Sequence, residues 1–141
     1  MAQSQETIIR ESAVQTLGYV CEELEYSQIP QDKHSTIISS IATNMLFDGS
    51  FDDDTLEIVL TAFYNAVPFT VNNFLVSHER DYIMNQLFLS FKHKNDDVRM
   101  IGYQAMAEIA KRNYDQIDTW LVKIYENTQT AVENEEDKIA A

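Results

Sequence analysis

The sequence holds a single cysteine, Cys21, and that scarcity removes two chemistries. No disulfide can close within the chain, and no cysteine-rich zinc site can be assembled. A reducing compartment, with a soluble intracellular protein, is the expectation. Turn formers are also scarce: three glycines and two prolines in 141 residues. A many-stranded sandwich or barrel needs a turn every several residues, so those classes are disfavoured. Gly18, Gly49 and Gly102 lie far apart and none opens a GxxxxGK or GxGxxG pattern, which excludes a glycine-rich phosphate loop. No apolar run approaches the ~20 residues of a membrane span. The opening MAQSQETIIRE lacks the basic start and apolar stretch of a secretory signal. Basic residues are few as well: 10 Lys and Arg face 23 Asp and Glu, a net charge of −13. Such a field repels nucleic acid and anionic membranes and favours basic partners, and it also serves plain solubility.

What is present is a helical pattern nearly throughout. Ile8, Ile9, Ala13, Leu17, Val20 and Leu24 recur at three- and four-residue steps over 5–26. The segment 27–32, with Pro30, breaks that helix. Ile37, Ile38, Ile41, Met45 and Leu46 mark a second helix, and Asp48-Gly49-Ser50 a turn. Asp52, Asp53 and Asp54 precede Leu56, Val59, Leu60 and Phe63, a capped start with acids at the positive end of the helix dipole. Pro68 ends that helix near Val67, and 69–74 reads as a linking turn. A helix from about Ser77 to Phe91 follows. Asn95-Asp96-Asp97 caps the next, which carries Val98, Ile101, Ala105, Met106 and Ile109. A last clear helix starts near Asp118. The acids Glu133 to Asp137, followed by Lys138-Ile139-Ala140-Ala141, read as the start of a further capped helix. About six helices use the chain, and no segment alternates as a strand does. The fold class is all-α.

A repeat underlies the helices. Starts at Ile9, Thr55 and Val98, offset by 46 and 43 residues, align Ser12, Ile58 and Ile101. They also align Ala13, Val59 and Gly102; Leu17, Phe63 and Met106; and Val20, Ala66 and Ile109. Two helices per unit and a period in the low-to-mid forties are the signature of HEAT or armadillo repeats. Ala13 and Gly102 are expected where helices cross closely, and Arg99 is expected to stay solvated. The units read as a second-type helix at 5–26, repeats at 32–67 and 76–112, and an incomplete repeat at 117–141. Neither end carries a polar cap, so the chain reads as an excerpt of a longer α-α superhelix. Self-association through those ends is expected, with Trp120 and Tyr125 near the open C-terminal one.

Sites of other kinds fail on spacing. Asp48 to Asp54 superficially resembles a calcium loop, but its sixth position is Asp53 and its twelfth Val59, where Gly and Glu are needed. His34, His78 and His93 show no HExxH or paired-ligand spacing and read as surface or cap residues. Cys21 reads as a small buried hydrophobe. Ser35, Ser39 and Ser40 lack a GxSxG context. Lys92-His93-Lys94 is too short for a nucleic-acid footprint. No catalytic, cofactor or metal residue is assigned.

The stretch from Gln15 to Leu24, the segment Phe69-Thr70, Asn73-Phe74, Glu79-Arg80 and Tyr82-Ile83-Met84, and Asp97-Val98-Arg99 with Tyr114 carry a family likeness. Together they resemble importin-β, the karyopherin-β nuclear import receptors, over residues 9–141. The resemblance implies a HEAT-repeat solenoid, at about repeats four to seven, and a carrier rather than an enzyme. It implies Phe-Gly nucleoporins as partners, with Ran GTPase and cargo or an importin-α adaptor bound by the full-length receptor. It implies a life in cytoplasm, nucleus and the pore of the nuclear envelope. It places a Phe-Gly pocket between successive first-type helices, at Ile38, Ser39 and Ala42 on one and Glu79, Tyr82 and Ile83 on the next. Ala42 stands where relatives carry a larger aliphatic residue, which widens the slot. The spacing agrees with a shared face, since Ile38 and Ala42 are four apart, as are Glu79 and Ile83. Ile38, Tyr82 and Ile83 supply walls, and Ser39 and Glu79 polar groups for a peptide main chain. The alternative is a HEAT scaffold subunit of an enzyme or coat complex, which uses its ridge and loops instead. A third reading, a free-standing acidic helical domain with a metal or regulatory role, rests on the charge alone.

Overall fold

The computed structural model describes residues 5–24, 28–45, 47 and 51–140. Its helices are α1 (Gln5–Glu23), α2 (Gln31–Ala42), α3 (Asp53–Ala66), α4 (Val71–Leu75), α5 (Ser77–Ser90), α6 (Asp96–Arg112) and α7 (Leu121–Ala140). 3-10 turns at Val67–Phe69, Tyr114–Gln116 and Asp118–Trp120 sit at joints between them. Among the described residues there is no strand. The architecture is all-α and layered. α1 packs along α3 and α3 along α6, forming one layer. α2 packs on α3 and α5 on α6, forming the other, and α4 touches both α2 and α5. Stacked hairpins of this kind are the helical-repeat solution to burying one apolar stripe per helix.

The starts of α3 and α6 follow the sequence. Asp52 accepts a hydrogen bond from the Thr55 backbone N–H at 2.8 Å. Asn95 accepts from the N–H groups of Asp97 and Val98 at 2.9 and 3.1 Å. The caps are 43 residues apart, and the same offset joins buried residues to buried residues: Val59 to Gly102, Phe63 to Met106 and Ala66 to Ile109. It also joins Thr70 to Asn113, which are in contact, Asn113 Nδ2 donating to Thr70 Oγ1 at 3.0 Å.

The Asp52 cap gives a pH prediction. Its backbone and side-chain hydrogen bonds with Thr55 hold the carboxyl below the ordinary 3.8. A depressed folded-state pKa stabilises above the ordinary value, and that contribution fades as pH falls through the folded one. Asp52→Ala is therefore expected to cost about 1 kcal/mol at neutral pH, with the gap to wild type closing in acid. Asp52→Asn keeps the cap without the titration. Urea melts at pH 7 and pH 2.5 check both.

Several sequence expectations are corrected. In α1 the buried residues are Val14, Gly18 and Cys21, while Ser12, Ala13 and Val20 are exposed and Leu17 is half-buried. An offset of 45, not 46, therefore matches α1 to α3 by burial, pairing Val14 with Val59 and Cys21 with Ala66. Ala13 makes no close crossing; Gly18 does, because a Cβ there would lie 2.7 Å from the Ala62 Cα. Gly102 does pack closely, against Ser90. Arg99 is buried rather than solvated, because carbonyls and carboxylates converge on it. The link after Pro68 contains α4, since Phe74 is fully buried and a helical turn carries it inward. α7 runs unbroken to Ala140, so the acids at 133–137 lie within a helix and start none. His34 is buried, its Nε2 donating to the Ile29 carbonyl at 2.9 Å and its ring edge-on to Phe69. Trp120 is half-buried, stacked on Phe88 with Lys123 above both rings, whereas Tyr125 is exposed. Residues 25–27 and the Asp48-Gly49-Ser50 turn lie outside the described residues. Cys21 is buried as expected, and that burial pushes its thiol up to about 11, which leaves little thiolate at neutral pH.

Candidate functional site

α4 packs on both α2 and α5, and residues of all three helices border one cleft. Ile38 and Ala42 are one turn apart on α2, so both turn inward, and Ser39 lies beside them at the surface. On α5, Ile83 turns inward, while Glu79 and Tyr82 stand at the edge. The start of α5 has no side-chain cap. It is held instead by Arg80, whose Nη1 donates to the Phe74 carbonyl at 3.1 Å and whose backbone N–H donates to Val76. Phe74 buried beneath and Arg80 above fix the angle between α4 and α5.

The space left between these helices is a cleft of about 270 Å³. All six residues singled out in the sequence line it: Ile38, Ser39, Ala42, Glu79, Tyr82 and Ile83. Thr43, Asn73 and His78 line it too. Ile38, Ala42 and Ile83 form the floor, with 0%, 2% and 2% of their surface exposed. Tyr82, 41% exposed, is the lip that solvent meets first. The walls are largely apolar, and the polar groups sit at one edge, where Asn73 Nδ2 donates to Glu79 Oε2 at 3.4 Å. A cavity of about 150 Å³ is enough for a benzene ring, so the cleft has room for one aromatic side chain.

Asn73 escaped the sequence reading because it lies on a helix read there as a turn. Its neighbour Phe74, fully buried in an otherwise polar pair of asparagines, is the signal that could have found it.

A larger hollow of about 520 Å³ lies between the α5–α6 joint and α7, lined by Phe91, His93, Arg99, Tyr103 and Glu135 among others. Its buried charge is already neutralised: Arg99 bonds to Glu135, Asp96 and two backbone carbonyls. Among the described residues no group of three His, Cys, Asp or Glu is placed to hold a metal ion. No described helix is long and apolar enough to cross a membrane.

No protein-family model matches the chain. The chain is similar to Importin subunit beta-1 of Arabidopsis thaliana, 25% identical over 134 residues, which takes in 94% of this chain. The chain spans 15% of the length of that curated relative. This distant likeness over nearly the whole chain, with the all-helical stack, fits a HEAT-repeat fragment.

Proposed function

We propose that the chain is a non-catalytic segment of an importin-β-like transport receptor, and that its α2–α5 cleft takes the phenylalanine ring of a Phe-Gly nucleoporin repeat. The observation that carries this reading is the gathering of six residues, three from each of two separate helices, around one ring-sized apolar slot with a polar edge. The ring sits over Ile38, Ala42 and Ile83 with Tyr82 alongside, and Ser39 and Glu79 face the peptide main chain. The small Ala42 leaves one wall thin, so a single contact is weak. Weak single sites suit transient passage, because many linked repeats raise the effective concentration.

In this reading the units are the hairpins 32–67 and 76–112, flanked by 5–26 and 117–141, and they stand at about the fourth to seventh repeats of the receptor. The full receptor moves between cytoplasm and nucleus through the pore, where Ran and cargo or an importin-α adaptor meet other parts of it. Exposed apolar residues on the flanking helices, Ile9 on α1 and Val122 and Val132 on α7, support self-association of the isolated chain at high concentration.

The test is a titration of the labelled chain with an FxFG peptide, followed by backbone NMR. Shifts at Ser39, Thr43, Glu79 and Tyr82 are expected, with a Kd near millimolar. Tyr82→Ala is the informative variant, since Ile38 and Ile83 are core residues and a charge there would unfold the helix pair. It is expected to weaken binding at least ~5-fold, as the loss of one aromatic contact of about 1 kcal/mol or more implies. Shifts confined to the helix joints would favour a scaffold instead, and no shifts at millimolar peptide would remove the reading.

A further inference from the structure

Asn73 has an unusual position for an amide. It is 1% exposed, lines the cleft, and its Oδ1 has no hydrogen-bond partner. Burying an amide carbonyl unpaired is costly, and buried polar groups in folded proteins nearly always find partners. Turning the amide over does not help. Nδ2 now donates to Glu79 Oε2, and the flipped amide would set its oxygen against that carboxylate, acceptor to acceptor. The vacant group is therefore an acceptor, and what it lacks is a donor.

None of the donors that line the cleft, Ser39, Thr43, His78 and Tyr82, bonds to it, and the buried Arg80 Nε, a donor also without a partner, belongs to a side chain that turns to the Phe74 carbonyl and does not line the cleft. We infer that Asn73 reads the main chain of the guest, its Oδ1 accepting the N–H of a peptide bond flanking the inserted aromatic residue. This inference rests on the cleft reading above and adds the residue that selects the guest's backbone. An extended segment has a free N–H next to its aromatic side chain. A helical segment has spent that N–H on its own carbonyls, so the same ring on a helix is refused. Ser39, at the exposed rim, faces the guest's main chain farther out.

The experiment uses the full 141-residue chain. Its probes are an FxFG peptide and two copies, each N-methylated at one amide flanking the phenylalanine. Dissociation constants are read by NMR titration for wild type, Asn73→Leu and Tyr82→Ala, with thermal melts alongside. Leucine matches the amide in shape and removes the unpaired acceptor, so the melt is expected to hold or rise. Its affinity for the unmodified peptide is expected to fall about tenfold, the size of one lost hydrogen bond of about 1.4 kcal/mol. One of the two methylations is expected to weaken wild type by a similar factor and to have no further effect on Asn73→Leu. Wild-type binding unchanged by both methylations overturns the inference without any protein variant. So does an Asn73→Leu chain that binds like wild type while Tyr82→Ala does not, an outcome that leaves the cleft reading standing. A wild type that binds no peptide overturns both.

Discussion

Replacing Arg99 with methionine is expected to lower the unfolding free energy by about 3 kcal/mol, because four charge-assisted hydrogen bonds, two of them to solvent-exposed carboxylates, vanish while the buried stem is kept. The guanidinium is the fastening of the α5–α6 joint. Its Nη1 donates to the His93 and Lys94 carbonyls at 2.8 and 2.9 Å, and its Nε to Glu135 Oε1 on α7 at 3.0 Å. Nη2 reaches Asp96 Oδ1 as well. One side chain thereby satisfies carbonyls of the joint and links α7 to α6. Burial works against the charge, but the bonds to Glu135 and Asp96 outweigh it and hold the pKa above that of a free guanidinium. A raised pKa loses its stabilisation only as pH rises through it, so the fastening holds across the usable alkaline range. At roughly 3–4 °C per kcal/mol for a chain this size, the melting temperature is expected to drop about 10 °C. Arg99→Lys keeps the charge without the planar fork and is expected to recover less than half of the loss. Urea melts of the three proteins check this. A loss under about 1 kcal/mol for the methionine variant would mean that the contacts with partly exposed Asp96 and Glu135 are screened away.

The second large effect is expected at Gly18. An added Cβ would lie 2.7 Å from both the Cα and the Cβ of Ala62, and the nearer obstacle includes backbone. Helix α1 must then lift off α3, uncovering Val14 and Cys21. Overpacking of this kind costs about 1–3 kcal/mol, and Gly18→Ala is placed toward the upper end. Adding Ala62→Gly removes one of the two obstacles, so the double variant is expected to recover about half. Gly102→Ala is the contrast. Its obstacles are Ser90 Oγ and Cβ, a side chain that Ser90→Gly deletes, so there the rescue is expected to be nearly complete. Thermal melts of both double-mutant cycles read the difference. Equal rescue in the two would mean that α1 rests on α3 less closely than Gly18 indicates.

The two layers were legible because polar signals repeat with the apolar ones. Asp52 and Asn95 announce helix starts 43 residues apart, and the burial of Val59, Phe63 and Ala66 is copied at Gly102, Met106 and Ile109. The six cleft residues could be named because a family likeness supplied the positions, and helical spacing alone agreed with them. The phase of α1 was not legible. Ala13, Leu17 and Val20 look more apolar than Val14, Gly18 and Cys21, yet the buried side is the second, because Gly18 is what lets α1 approach Ala62 closely. Arg99 could not be read as buried, since the carbonyls that receive it come from a joint whose path no periodicity reports. The acids at 133–137 imitate a capped start, but in α7 they fall inside a continuous helix. Asn73 lay hidden for the same reason as α4: five residues are too few to show a period.

Central to the account is an aromatic guest seated between α2 and α5. Intermolecular NOEs between the phenylalanine ring protons of an FxFG peptide and the methyl groups of the labelled chain test this directly. The expected result is a set of cross-peaks to Ile38, Ala42 and Ile83 that weakens in Tyr82→Ala in step with its lower affinity. Cross-peaks to methyls elsewhere, such as Val122 and Val132 on α7, with none to those three, would contradict it.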